Sequence, residues 1–147
     1  MTDETVKSLL KYCLEKPGAY IDFPFGEVPI CVKVGGRLFA QVYPKEGDRK
    51  ITLNCDAMTG EFLRSMHPEA VVRGYHCPPR LQPYFNTIYI NAVPDTEIRL
   101  MIDHSYSYEW SIKKSWPFSD NHILLLTLLP CGRNGLSRDI LHSGLPF

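Results

Sequence analysis

The chain has 147 residues, of which 44% are hydrophobic and 22% are charged, and this is enough to bury the core of one globular domain without metals or disulfides. Lys plus Arg and Asp plus Glu each number 16, so no net charge attracts nucleic acid, a membrane or an acidic substrate, and any basic site must be local. The five cysteines include no CxxC pair, and residues 1–18 contain no basic leader with a continuous apolar run. Together these features predict free thiols and a cytoplasmic protein.

A helix is predicted at the amino terminus, with Thr2 or Asp3 as its N-cap and Pro17-Gly18 as its end. VPICVKV and RLFAQVY then flank Gly35-Gly36, and a two-residue glycine loop accepts the positive φ values of a tight hairpin turn. The sequence therefore predicts a helix followed by two antiparallel strands. The helix has one apolar face at helical spacing, formed by Val6, Leu9, Leu10, Cys13 and Leu14.

Three more strands and a second helix are predicted after this hairpin. KITLNC alternates apolar and polar residues, which is typical of a strand with one covered and one wet face. Asp56 is the predicted N-cap of the second helix, which ends before Pro68. Gly60 weakens this helix by roughly 1 kcal/mol relative to Ala. AVVRGY and FNTIYIN indicate a further strand pair.

A last helix is predicted to begin at Pro94, with Asp95 and Glu97 in its positively charged first turn. The order α-β-β-β-α-β-β-α predicts an α+β fold class. It is a two-layer domain over residues 1–114, with an antiparallel sheet and helices on one face. Residues 115–147 form a predicted tail, whose apolar run ILLLTLL is too short to cross a bilayer. We expect this tail to be loosely attached, with docking on the sheet or binding of a partner as alternatives.

Several motifs occur in an order that resembles one known family: DFPFGEVPICVKVGGRLFA, KITLNCD, GYH, the Asn86-Thr87 pair and IDHSY. The match covers about residues 9 to 112 and makes the chain similar to the MmcQ/YjbR family. The resemblance implies a small bacterial protein with the CyaY-like "double wing" fold, whose usual description is a predicted DNA-binding protein. The chain departs from the family pattern in GYHCPPRLQPYFNT, which is longer, richer in proline and poorer in basic groups, with Phe85 where tryptophan is usual.

We expect weak DNA binding through the hairpin loops and through the segment that joins the last two strands. Tyr75, His76 and Tyr84 offer aromatic faces for stacking and a polar contact. Scattered solubilising charges are the simpler interpretation of the nearby cations. The candidate phosphate contacts are Arg37, Lys45, Arg49, Lys50, Arg73 and Arg80.

Two other classes of function stay open. One is a protein-interaction module that uses the open sheet face or the apolar tail. The other is an enzyme or small-molecule binder with a pocket under the proline-rich loop. We expect no enzyme, because neighbours on a strand point to opposite faces and His76 is then badly placed to activate Cys77. The histidines and cysteines lack a recognised ligand spacing, so we expect no metal and no cofactor. We also expect a monomer that does not bind membranes.

Overall fold

The computed structural model describes residues 3–115, so the predicted tail lies outside the described residues except at its first position. The helices are α1 (Asp3–Leu14), α2 (Ala57–Met66) and α3 (Asp95–Ser115). No helix in this described part is both long enough and apolar enough to span a membrane. The strands are β1 (Ala19–Asp22), β2 (Ile30–Val34), β3 (Arg37–Tyr43), β4 (Lys50–Asn54), β5 (Val71–Arg73) and β6 (Phe85–Tyr89).

These six strands form one antiparallel sheet in the order β1-β2-β3-β4-β6-β5. β6 follows β5 in the chain, yet it lies between β4 and β5 and pairs with both. The predicted α+β class and antiparallel sheet are confirmed. The sequence prediction missed β1, because this edge strand has only four residues and exposes both Tyr20 and Ile21. It therefore lacks the alternation that marks a half-buried strand.

The hairpin between β2 and β3 turns at Gly35-Gly36, as predicted. Both glycines have positive φ, 57° and 82°, and glycine adopts such values without steric cost. The hairpin places Val32 opposite Ala40 and Ile30 opposite Val42. These apolar side chains therefore project from the same face of the sheet.

α1 and α3 cover that face and form the core with it. Val6 and Leu9 of α1 are buried beside Ile98 and Ile102 of α3, which confirms the apolar face predicted for the first helix. Burying an aliphatic side chain of this size contributes about 1.5–3 kcal/mol. The sheet supplies Val32, Val34, Phe39, Ala40, Val42, Ile51, Leu53, Val71 and Ile88 to the same cluster.

The opposite face of the sheet carries polar side chains that are nevertheless shielded from solvent. Lys33 is 1% exposed and Gln41 is 2% exposed. The Lys33 ammonium group pairs with Asp22 at 2.6 Å, which offsets the cost of burying its charge. The prediction of a wet face is therefore wrong at the centre of the sheet. Exposed side chains of this face lie towards its margins, where Tyr20 and Tyr89 are found.

A buried polar network fastens α3 to the sheet. Glu109 and Arg37 form an ion pair and are 4% and 9% exposed. Glu109 also accepts a hydrogen bond from Asn54 Nδ2 at 2.6 Å, and the same amide group donates to a β3 carbonyl at 2.8 Å. The Ser105 hydroxyl donates to the carbonyl of Phe39 at 2.6 Å and accepts from the Asn54 main-chain N–H at 2.9 Å. α3 is thus joined to both β3 and β4.

α2 has the predicted N-cap, but its apolar residues face outwards. The Asp56 side chain accepts a hydrogen bond from the N–H of Thr59 at 2.8 Å. In contrast, Met58, Phe62 and Met66 are 82%, 59% and 56% exposed. α2 therefore contributes little to the main core, and its outer side is apolar.

Gly60 is the buried residue of α2, and it lies where this helix meets the segment before β6. A Cβ atom at this position would stand 2.7 Å from Cys55 Sγ and 3.0 Å from the carbonyl oxygen of Pro83. Glycine therefore lets α2 approach this segment closely. From the sequence alone, the same residue was expected only to weaken the helix.

We expect Glu109→Ala to lower the free energy of unfolding by about 3–5 kcal/mol, because it leaves the Arg37 charge buried without its partner. Urea denaturation followed by circular dichroism measures this loss. Glu61→Ala removes an exposed carboxylate of α2 and is the matched control, with an expected change under about 0.5 kcal/mol. Replacing both partners, in Arg37→Met/Glu109→Leu, should recover much of the stability. A loss for Glu109→Ala as small as that of the control would contradict the role of the network.

Gly60→Ala should destabilise the protein, although helix propensity alone predicts a gain of about 1 kcal/mol. The added methyl group overlaps a sulfur and a main-chain oxygen, and overpacking of this kind costs about 1–3 kcal/mol. Thermal unfolding of both proteins decides the sign. In a Cys55→Ala background the same substitution should cost less, because the nearest atom is gone. A higher melting temperature for Gly60→Ala would refute the close packing.

Candidate nucleic-acid interface

Strand pairing places two tyrosines and a lysine in one row across the sheet. Tyr43 of β3 stands opposite Lys50 of β4, and Lys50 stands opposite Tyr89 of β6. Directly opposite residues of antiparallel strands project from the same face. In the same way Thr52 stands opposite Thr87, and their hydroxyl oxygens are 2.9 Å apart. The face opposite α1 and α3 therefore carries two aromatic rings with an ammonium group between them.

The proline-rich segment between β5 and β6 closes one side of this row. It begins with a tight turn, in which the N–H of Cys77 donates to the carbonyl of Gly74 at 2.8 Å. The Gln82 side chain then donates to the carbonyl of Cys77 at 2.9 Å. This turn sets the ring of His76 edge-on against Tyr43, with ring centroids 6.3 Å apart. The segment is thus held against the sheet by main-chain and aromatic contacts.

A hollow of about 270 Å³ lies between the sheet and this segment. Residues of the β3, β4, β5 and β6 region form its floor: Tyr43, Lys50, Thr52, Val72, Thr87 and Tyr89. The end of β5 and the turn after it form its wall, with Arg73, Tyr75 and His76. None of these lining residues is acidic, so Lys50 and Arg73 make the hollow locally positive in a chain of zero formal charge.

Lys50 has a neighbour of opposite charge that is easily displaced. Its Nζ atom lies 2.9 Å from Asp48 Oδ2 and 5.4 Å from the centroid of the Tyr43 ring. The Asp48 side chain is 52% exposed, and surface ion pairs of this kind contribute only about 0–1 kcal/mol. The Asp48 carboxylate therefore contributes little to holding Lys50 in place.

His76 is a neutral aromatic group at neutral pH. One side of this residue is exposed, but packing against Tyr43 removes water from the ring. This desolvation lowers the pKa of His76, and the charge of Lys50 lowers the pKa further. Burial also raises the pKa of Tyr43 to about 12. The hollow thus combines the side chains of Lys50 and Arg73 with aromatic rings.

The hollow brings together four of the residues that the sequence predicted for DNA contact: Lys50, Arg73, Tyr75 and His76. Arg37 is not among them. It is buried in the ion pair with Glu109, so the prediction that it contacts phosphate is wrong. The sequence could not show that Arg37 is buried, because its partner Glu109 lies far along the chain on α3.

The remaining predicted contacts do not line the hollow. Lys45 is exposed in the turn between β3 and β4. Arg80 is exposed within the proline-rich segment, and Tyr84 is 42% exposed near its end. Arg49 is half-buried. For these four residues, contact with DNA stays a prediction.

The sequence did not identify most of the residues that form the floor of the hollow. The alternation in KITLNC does place Lys50 and Thr52 on one face, which is the available local signal. The pairing of Thr52 with Thr87 joins positions 35 residues apart, and no local pattern reveals it. The missed lining residues are Tyr43, Thr52, Val72, Thr87 and Tyr89.

Other arrangements of reactive side chains are not supported by the described geometry. Within residues 3–115 no group of three or more His, Cys, Asp or Glu side chains is placed to hold a metal ion. Asp103 accepts a hydrogen bond from Tyr12 at 2.8 Å, whereas His104 faces Asp56 at 3.4 Å. These two neighbours therefore serve separate contacts and do not form an acid-base pair.

The described cysteines are not placed as nucleophiles. Cys13, Cys31 and Cys55 are buried free thiols, and burial raises the pKa of Cys13 and of Cys55 to about 12. Such thiols rarely form the reactive thiolate. Cys77 is also buried, at 4% exposed.

Fold and hollow together define a small α+β protein with one helix-covered antiparallel sheet and a basic, aromatic site on its other face. The family model YjbR matches residues 14–108, and the chain therefore belongs to the YjbR family. The Escherichia coli K12 protein YjbR is 30% identical to it over 103 residues, which are 69% of this chain and 84% of that protein. The family that the motifs predicted is confirmed.

Two solved structures have a similar fold. A Deinococcus radiodurans protein with a DUF419 domain matches with a TM-score of 0.62 and 24% identity, over 96% of this chain and 88% of that one. A Pseudomonas syringae protein matches with a TM-score of 0.56 and 17% identity, over 69% of this chain and 96% of that one. At these identities the likeness establishes the fold.

We expect the pKa of His76 to lie below its ordinary value of 6.5, because protonation would add a second positive charge beside Lys50 in a partly dehydrated site. NMR titration of the imidazole protons measures it. Lys50→Met should raise this pKa without restoring it fully, since desolvation is the larger cause. Lys11→Met, which removes an exposed lysine of α1, should leave it unchanged.

This lowered pKa also has a consequence for stability. The unfolded chain binds a proton at His76 more readily, so the stabilising contribution is complete above pH 6.5 and is lost as the pH falls through the lowered pKa. His76→Gln should reduce the acid dependence of unfolding in that window. A titration midpoint of 6.5 or higher for His76 would show that its ring is not held beside Lys50.

Proposed function

We propose that this protein is a non-enzymatic member of the YjbR family that binds DNA weakly through the hollow. The observation that carries the proposal is the convergence of Lys50 and Arg73 with Tyr43, Tyr75 and Tyr89 in one hollow. Cationic side chains attract phosphate, whereas ring faces accept any base. This combination supports binding that depends on the DNA backbone and on stacking more than on sequence.

Two further exposed cations are candidates for a wider contact with the backbone. Lys45 lies in the turn between β3 and β4, and Arg80 lies in the proline-rich segment; both are exposed. Few phosphates are neutralised by so small a set of charges. We therefore expect dissociation constants in the range typical of non-specific binding, roughly 10⁻⁴ to 10⁻⁶ M at physiological salt.

A protein-interaction role is the second candidate, and the outer side of α2 favours it. Met58, Phe62 and Met66 follow one another at intervals of four residues and are all more than half exposed, so they form an apolar stripe along the helix. The sheet face that the sequence offered for this role has a buried centre, which makes α2 the better surface for a partner.

Fluorescence anisotropy of a labelled DNA, titrated with the protein at several salt concentrations, tests the DNA proposal. We expect affinity to fall steeply with salt. Arg73→Ala should weaken binding and reduce the slope of log K against log salt by roughly 0.7–0.9, because one phosphate contact is lost. Lys50→Met should do the same.

Lys11→Ala is the matched control, because it removes an exposed cation from α1 in the layer that covers the other face. It should change neither affinity nor slope. Absence of binding at low salt, or equal losses for Arg73→Ala and Lys11→Ala, would refute the proposal. The next experiment would then look for a protein that binds α2, and would compare its binding to the native protein and to Phe62→Ser.

A further inference from the structure

The rim of the hollow carries aromatic surface that a flat ligand can cover. Tyr75 is 69% exposed and Tyr89 is 37% exposed, and both line the hollow. Stacking of one base on an aromatic side chain contributes about 1–3 kcal/mol. The ring of Tyr43 is more enclosed, since His76 packs edge-on against it. The two outer tyrosines are therefore the rings available for stacking.

The concave shape restricts which bases reach these rings. The volume of about 270 Å³ is close to the lower limit of roughly 300 Å³ for small-molecule sites, so it suits one base with its sugar. In a duplex the bases are paired and stacked inside the helix. A side chain within a hollow stacks on such a base only after the base has left the helix. The shape therefore favours a base that is already unpaired.

The floor offers a lysine that suits a phosphate, beside two threonines that bond to each other. Thr52 and Thr87 lie with their hydroxyl oxygens 2.9 Å apart, so one hydroxyl proton is used between them. Thr52 is 0% exposed and Thr87 is 6% exposed, so these hydroxyl groups satisfy each other and close the floor beneath the rings. Lys50 stands in the row between Tyr43 and Tyr89, where its ammonium group meets the phosphate of a stacked nucleotide.

We propose that the hollow binds one unpaired nucleobase together with its phosphate, and that the protein consequently prefers single-stranded nucleic acid to duplex. This inference rests on the proposed function and adds recognition of a base to recognition of the backbone. A free nucleotide carries the same chemistry, and the experiment separates the two sources.

The test compares a labelled short oligodeoxythymidine with a labelled duplex of the same length in anisotropy titrations at one low salt concentration. The single strand should bind more tightly. Tyr75→Ala should lower the affinity for the single strand by about 5- to 100-fold, which corresponds to the loss of one stacked base. The same variant should change the affinity for duplex by less than about twofold, since phosphate contacts remain.

Two variants serve as controls. Tyr75→Phe keeps the ring and should keep the preference for the single strand. Tyr20→Ala removes a tyrosine that is also exposed, at 42%, but lies on β1 at the far edge of the sheet, and it should have no effect. Thymidine monophosphate is added as a competitor. Displacement only at concentrations far above the oligonucleotide affinity supports a strand as the ligand, and displacement at similar concentrations supports a free nucleotide in the same hollow.

Two results would overturn the inference in different ways. Equal affinities for single strand and duplex, with no effect of Tyr75→Ala but a retained effect of Arg73→Ala, would overturn the base site and leave the proposed DNA binding intact. No salt-dependent binding to either ligand would overturn both.

Discussion

Glu109 joins three parts of the protein through one buried carboxylate. It lies on α3, pairs with Arg37 at the start of β3 and accepts a hydrogen bond from Asn54 at the end of β4. Removing one partner from a buried ion pair costs several kcal/mol, so these contacts hold α3 across the two central strands in one position. Ser105, one turn earlier on the same helix, adds hydrogen bonds to both strands. Because α3 occupies this face of the sheet, the hollow lies on the opposite face.

The order of the strands brings the residues of the hollow together on the face opposite α3. Because β6 lies between β4 and β5, Tyr89 stands beside Lys50 and Thr87 stands beside Thr52. β5 ends at Arg73, opposite Asn86, and the turn that follows it reaches the hollow. Proline restricts φ and reduces the freedom of the unbound segment, which lowers the ordering cost of binding. The hollow is therefore largely formed before any ligand arrives.

The proposed binding of nucleic acid to this neutral chain depends on contact more than on long-range attraction. No overall field steers a polyanion towards the protein, and two lining cations neutralise few phosphates. Shape and ring stacking would then supply much of the energy of the proposed binding. Tyr75 and His76 belong to the GYH motif, one of those on which the resemblance to the family rests, whereas Arg80 belongs to the proline-rich part in which the chain departs from that resemblance. The aromatic wall is thus the feature to compare among relatives.

The sequence by itself determined α1, the Gly35-Gly36 hairpin, the Asp56 cap and the start of α3, because each depends on neighbours a few residues away. It also indicated the family, and it named Tyr75 and His76 as candidates. Only the tertiary structure decided between Arg37 and Lys50. Both are cations on strands, but Arg37 meets a glutamate 72 residues away, while Lys50 meets a row of tyrosines at the margin of the sheet. Likewise the effect of Gly60 on stability depends on Pro83, which packs against it from a distant segment. An alternating pattern shows which side chains share a face of one strand, but the neighbouring strand and the helix above it are chosen by packing between residues far apart in the chain.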